Sequence, residues 1–195
     1  MNKILLILLL ISILGGCTRA PDNIAADFVD DNGEIFKLAN NQAVDFYFYY
    51  PENFIIDKNT VMISMFINDT ETVIIEHETG EDMHVYVNPN LSASVYSMQE
   101  LYESAEQCWE SYVKPSLSAG FNNINIESSE DIIIAGISGR KYIYTASLGG
   151  QDYKYAQVIF LRSREIYTLI YSATPNRFEK HAGVLDVVTE TFAFK

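Results

Sequence analysis

The sequence predicts an α+β protein in which amphipathic helices cover a mainly antiparallel sheet. Three observations carry that prediction. Short β-rich runs dominate both halves of the chain. Turn signals such as Asn32-Gly33 and Gly149-Gly150 join neighbouring runs too closely for a crossover helix, so the pairing is antiparallel. Two stretches, 97–120 and 175–192, instead repeat apolar residues at three- and four-residue steps, the period of a helix with one buried face.

Taken in order, the first element is an address rather than part of the fold. Asn2 and Lys3 precede an apolar run, Ile4 to Leu14, broken only by Ser12, and Leu14-Gly15-Gly16-Cys17 closes it with small residues ahead of a cysteine. The run is shorter than the ~20 apolar residues a bilayer-spanning helix needs, and its layout is that of a secretory signal region. It resembles the lipobox of bacterial lipoproteins. The resemblance implies cleavage before Cys17 and a diacylglycerol thioether on its sulfur, with palmitate-class chains that each contribute ~0.8 kcal/mol per buried methylene. The alternative is an ordinary cleaved signal or an N-terminal helix with a chance cysteine. On the lipoprotein reading, 1–16 is the signal peptide, 17–26 a lipidated tether carrying Pro21, Asp22 and Asn23 among small residues, and 27–195 one domain.

Asn32-Gly33 between two apolar-containing arms predicts a small hairpin over 28–36. Phe46-Tyr47-Phe48-Tyr49-Tyr50-Pro51 is a strand ended by proline, with Phe46, Phe48 and Tyr50 on one face and Tyr47 and Tyr49 on the other. The tyrosine face reads as a half-covered surface, the alternative being a platform for a carbohydrate or cofactor ring. Runs 60–67 and 72–76 predict a second hairpin across Asn68 to Glu71, and Met83 to Val87 a further strand. Ser97-x-x-Glu100 has capping-box spacing and predicts a helix from there to Ala119-Gly120, kinked at Pro115. Its apolar stripe runs Met98, Leu101, Ala105, Cys108, Tyr112, with Tyr102, Trp109 and Val113 beside it. Strand signals resume at Ile124, Ile126 and Ile132 to Ile134, and 140–148, 153–161 and 166–173 form a three-strand meander. Thr174-Pro175 opens a closing helix whose inward stripe is Phe178, His181, Ala182, Leu185, Val188 and Phe192.

This order, together with Phe46 to Pro51, Ser97 to Tyr112, Ile134 to Tyr142, Tyr167 to Tyr171 and Leu185 to Phe194, resembles the PsbP-like fold over about 43–194. That family is named for the extrinsic photosystem II protein and shared with a Ran-binding protein of eukaryotic nuclei. Where the family often has a tryptophan after the opening proline, this chain has Asn53-Phe54. The resemblance implies an α/β/α sandwich and an interaction or assembly module without catalytic residues, and it does not name the partner; no thylakoid signature carries a photosynthetic role over. With the lipoprotein address added, the expected partner is an envelope protein.

Composition sets exclusions. Thirteen Lys and Arg against 26 Asp and Glu leave a formal charge of −13, and removal of 1–16 takes Lys3 with it, so the body repels phosphate backbones and anionic headgroups and nucleic acid is not a partner. The lipid, not charge, would hold it at the membrane. With Cys17 acylated, Cys108 is the only other cysteine, so no intramolecular disulfide forms. Cys108 lies on an apolar helix stripe, where a thiol behaves as a small hydrophobe. His77 and His84 with Glu76, Glu78, Glu81 and Asp82 make the one metal-like cluster, but their spacing matches no compact ligand motif and a solvated acidic turn explains it as well. No Gly-x-Ser-x-Gly, His-Glu-x-x-His or phosphate-loop motif occurs, and nothing pairs Ser138 or Ser163 with a histidine. Arg162 and Arg164, near Lys141 and Lys154, are the basic concentration on an acidic surface, a solvated turn or a dock for an acidic partner. The expected function is therefore a non-catalytic, membrane-anchored binding module with no cofactor. A small-ligand or divalent-cation-binding lipoprotein is the alternative, and a hydrolase with dispersed carboxylates comes third.

Overall fold

Four long strands joined by two-residue turns form the frame of the molecule. In the computed structural model they are β9 (Asn122–Ile134), β10 (Ile137–Leu148), β11 (Gln151–Arg162) and β12 (Glu165–Ala173), paired in sequence. The structure describes residues 27–42, 44–58, 62–67, 71–76, 82–87, 90–98 and 101–195. The expected signal peptide over 1–16, the expected lipidated tether over 17–26 with Cys17, and His77 therefore lie outside the described residues.

All three connecting turns, Ala135-Gly136, Gly149-Gly150 and Ser163-Arg164, have positive φ at both positions. That backbone matches the right-handed twist of the flanking strands. Strand alternation then sorts side chains between two cores. Ala156, Val158 and Phe160 of β11 and Tyr167, Leu169 and Tyr171 of β12 face one side, while Tyr155, Ile159 and Ile166 face the other with Tyr142 and Tyr144 of β10. The meander thus includes β9 as a fourth strand in addition to the three expected.

The free edge of β12 pairs with β8 (Asn90–Ser97), β8 with β5 (Met62–Ile67) and β5 with β4 (Phe54–Lys58), completing a seven-stranded antiparallel sheet. A second sheet has the order β1 (Asp27–Val29), β2 (Ile35–Asn40), β3 (Phe46–Pro51), β13 (Ala193–Phe194). The β1–β2 hairpin forms at Asn32-Gly33 as expected, with Gly33 at φ 84° and Asp30 Oδ1 accepting from the N–H groups of Asn32 (2.9 Å) and Glu34 (2.8 Å). β6 (Glu71–Glu76) and β7 (Asp82–Val87) make a separate ribbon. The expected 60–76 hairpin is corrected here: both edges of β5 are taken by β4 and β8, so β6 pairs forward with β7 instead.

The central helix also begins later than expected. Ser97 ends β8, whose backbone is bonded on both sides by β5 and β12, and Met98 N–H reaches the Arg164 carbonyl (2.8 Å). The cap that forms is Ser104, whose Oγ accepts from Gln107 N–H (3.1 Å), while Gln107 Oε1 accepts from Glu103 N–H (2.6 Å). Leu101 is consequently off the helix and 65% exposed. From α1 (Ala105–Cys108) the helix passes through a π-helical turn (Trp109–Val113), where Lys114 N–H bonds Trp109 O, and into α2 (Lys114–Gly120). The widened turn sits just ahead of Pro115, which has no N–H to donate, and absorbs the kink. Ala105, Cys108, Trp109 and Val113 are buried, Trp109 stacking on Tyr142 at 3.9 Å.

The closing helix divides at Ala182 into α3 (Pro175–His181) and α4 (Gly183–Thr191), Gly183 being a poor helix former at the junction. Phe178, Leu185, Val188 and Phe192 are buried as expected, but His181 is only half-buried. At the last residue of α4, Thr191 Oγ1 accepts from Tyr49 N–H (3.0 Å), extending the β3 pairing that Ala193 and Phe194 make. The central helix covers one face of the large sheet, and α3, α4 and the small sheet cover the other.

Candidate interaction site

A cavity of about 470 Å³ opens where three turns meet. The β1–β2 turn contributes Glu34 and Ile35, the β3–β4 turn Glu52 to Phe54, and the α3–α4 junction Lys180, His181, Val184 and Val187. Each turn is fixed by chemistry already described or by its neighbour: Glu52 N–H bonds Ile35 O at 3.0 Å, and Lys37 Nζ lies 3.8 Å from Glu52. Phe54 and Val184 are buried beneath the floor, and the His181 ring stands edge-on to Phe54 at 6.4 Å. The result is an apolar floor with a rim of both charge signs. Chemically, such a site accepts an apolar anchor and offers polar partners around it. The sequence pattern put His181 in the core and marked Asn53-Phe54 only as a departure from the resembled family; the Pro51 stop was the signal for a turn there.

The remaining predicted positions do not converge on this cavity. Cys108 is fully buried, and burial pushes its thiol up to about 11. The phenols of Tyr142 and Tyr155 are pushed up to about 12, burial being the main cause in both. Tyr144 donates to Gln157 Oε1 (2.9 Å), and burial holds its phenol well above the usual range. On the tyrosine face, β1 lays Phe28 across Phe36 (4.9 Å, stacked) and Tyr49 (5.0 Å, edge-on), so the β1–β2 hairpin covers the Tyr49 end of the surface read as a ring platform.

The basic concentration is also taken up. Arg162 donates to Asp45 Oδ2 (2.9 Å) and its guanidinium lies 4.0 Å above Phe194, whereas Arg164 is exposed, so the two arginines do not act as a pair. Lys141 bridges Glu130 (3.6 Å) and Asp186 (3.2 Å), and Lys154 bridges Glu127 (3.1 Å) and Glu179 (3.3 Å). Ser138 lines a 420 Å³ depression beside Arg140 and Glu106 that includes no histidine, and Ser163 is exposed at a turn. Among the described residues no group of three His, Cys, Asp or Glu is arranged to hold a metal ion. His77 lies outside them, and so does the side chain of His84 on β7. No helix among the described residues is long and apolar enough to cross a membrane.

Neither a protein-family model nor any curated protein matches the sequence. Solved structures do. The chain is similar to cyanobacterial PsbP (CyanoP) from Synechocystis sp. PCC 6803, with TM-score 0.55 and 15% identity, covering 93% of this chain and 99% of that one. It is similar to LpqN of Mycobacterium tuberculosis, a protein involved in cell envelope biogenesis, with TM-score 0.56 and 8% identity over 87% and 89% of the two chains. It is also similar to the Ran-binding protein Mog1p of Saccharomyces cerevisiae, with TM-score 0.55 and 9% identity over 83% and 96%. At these identities the likeness is one of architecture, and the architecture of this chain is the PsbP-like α+β fold.

Proposed function

We propose that the protein is an extracytoplasmic lipoprotein, anchored through Cys17, whose domain is a non-catalytic protein-binding module serving an envelope complex. The cavity at the α3–α4 junction is the observation that carries this reading. Its apolar floor of Phe54, Val184 and Val187 under a rim of Glu34, Glu52, Lys180 and His181 has the make-up of a partner's anchor pocket. The lipid would add confinement, raising the domain's effective concentration for partners at the same membrane. A Ran-binding protein and an envelope-biogenesis protein of the same architecture support a binding role without naming the partner.

The test is cross-linking capture from native membranes with wild-type and Val187→Arg protein. The expected result is a specific partner that the charged variant loses without a change in melting temperature; equal capture by both would remove the cavity from the account. Cys17→Ser should leave the protein unlabelled by fatty acid, and a labelled, membrane-bound variant would remove the anchor. A cavity of this volume is also within the range of small-ligand sites, about 300–1,000 Å³, which keeps a ligand-binding reading of the same residues. That reading predicts stabilisation of about 2.7 kcal/mol at a hundredfold excess over Kd in a thermal-shift panel of sugars and divalent metals.

A further inference from the structure

We propose that the outer edge of β9 receives an extended basic segment of a partner protein as an added strand of the seven-stranded sheet. β9 is thirteen residues long and pairs on one side with β10; among the described residues its other side pairs with nothing. Opposite the two-residue turn Ala135-Gly136, Ile134 and Ile137 are the hydrogen-bonded pair, so the alternate residues Ser129, Asp131 and Ile133 turn their N–H and C=O groups outward. Register is unbroken from Ser128 to Ile134 before the bulge at Glu127, which provides a straight edge for a segment of about seven residues. Ile133, 67% exposed at one end of this edge, offers an apolar contact.

Charge selects the occupant. Arg140 is shared by Glu106 and Asp131, Lys141 by Glu130 and Asp186, and Lys154 by Glu127 and Glu179. Three cations among six carboxylates leave this border of the sheet with a formal charge of −3 on a chain that is itself at −13. A second copy pairing β9 to β9 would set the acidic rows against each other, an arrangement that edge strands use to prevent self-association. A lysine- or arginine-bearing strand meets the opposite sign. Main-chain bonds then supply the docking and alternate side chains the selectivity.

The experiment uses the full-length protein in detergent and a fluorescent peptide of about eight residues alternating lysine and valine. Its controls are the glutamate–valine counterpart and the same basic peptide N-methylated at alternate residues. The expected result is binding of the basic peptide that weakens with salt, no binding of the acidic one, and at least about tenfold weaker binding after N-methylation, with slowed amide exchange confined to 128–134. Ser129→Pro, which removes an outward donor, should weaken binding similarly, and the N-methylated peptide keeps the test decisive if that variant does not fold. Equal binding of the N-methylated peptide, or protection mapping elsewhere, overturns the proposal. So does an edge already protected in the free protein, whether protection rises with concentration, as for a second copy, or is lost on deletion of 1–26, as for the chain's own segment. Peptide binding retained by Val187→Arg separates this site from the cavity, and the failure of either leaves the other standing.

Discussion

β9 and β12 belong to one meander and divide its tasks between them. β12 has β11 on one side and β8 on the other, and Tyr167, Leu169 and Tyr171 are buried in the larger core. Among the described residues β9 has β10 alone, and its side chains are exposed along most of its length. The same backbone geometry is a stability element in the centre of the sheet and an interaction surface at its border. The two strands differ in the number of described neighbours and in how far their side chains are buried.

The largest effect that sharpens this contrast is a truncation in the centre. Leu169→Ala should cost about 2–5 kcal/mol in urea denaturation, whereas Ile133→Ala on β9 should stay within ~0.5 kcal/mol. Equal losses at the two positions would erase the distinction. Gly139→Ala is next. A Cβ there would stand 2.8 Å from Ile159 O and 3.0 Å from Phe160 Cβ, both on β11, so β11 must shift away from β10, at a cost of about 1–3 kcal/mol; a neutral melting temperature would show that it yields freely.

Alkaline titration separates the helix-covered core from the border. Folding raises the pKa of Tyr142 and Tyr155 from the ordinary 10 to about 12, and of Cys108 from 9 to about 11. A group whose folded value is raised keeps its full contribution below the unfolded value and loses it as pH climbs through the folded one. Stability should therefore be flat up to about pH 9 and decline between about 9 and 12. Titration of the Tyr142 and Tyr155 phenols themselves at ordinary pH in the native state, followed by residue-resolved NMR, would contradict the burial. The smallest effect is at the ion pairs flanking β9. Lys141→Ala should change stability by no more than ~1 kcal/mol, since its carboxylate partners are well exposed, while strengthening attraction for the basic peptide.

Much of the fold was legible because local pattern and final pairing agree there. Phe46, Phe48 and Tyr50 alternate inward as the sequence implies, Gly33 turns the first hairpin, and Gly149-Gly150 turns the meander. Legibility failed where a choice between partners is made far away in sequence. β8 reads as small and polar residues, and Ser97 with Glu100 mimics a cap, but two waiting edges on β5 and β12 make it a central strand. The hairpin expected across Asn68 to Glu71 failed for the same reason, since β4 competes for β5. Of the candidate site, His181 was placed on the inward stripe and Phe54 noted only beside Asn53, while nothing local marked either of them or Val187 as a cavity residue, because the cavity exists only once three turns meet. The β9 edge was invisible for a related reason: a strand's exposure depends on which strand is last.

The most direct measurement is residue-resolved native-state hydrogen exchange. Rapid exchange is expected at Ser129, Asp131 and Ile133 beside slow exchange at Tyr167, Leu169 and Tyr171, with the three β9 amides slowing once the basic peptide is added. Outward β9 amides as protected as those of β12 in the free protein would mean that the edge is already covered, and the division between the two strands would not hold.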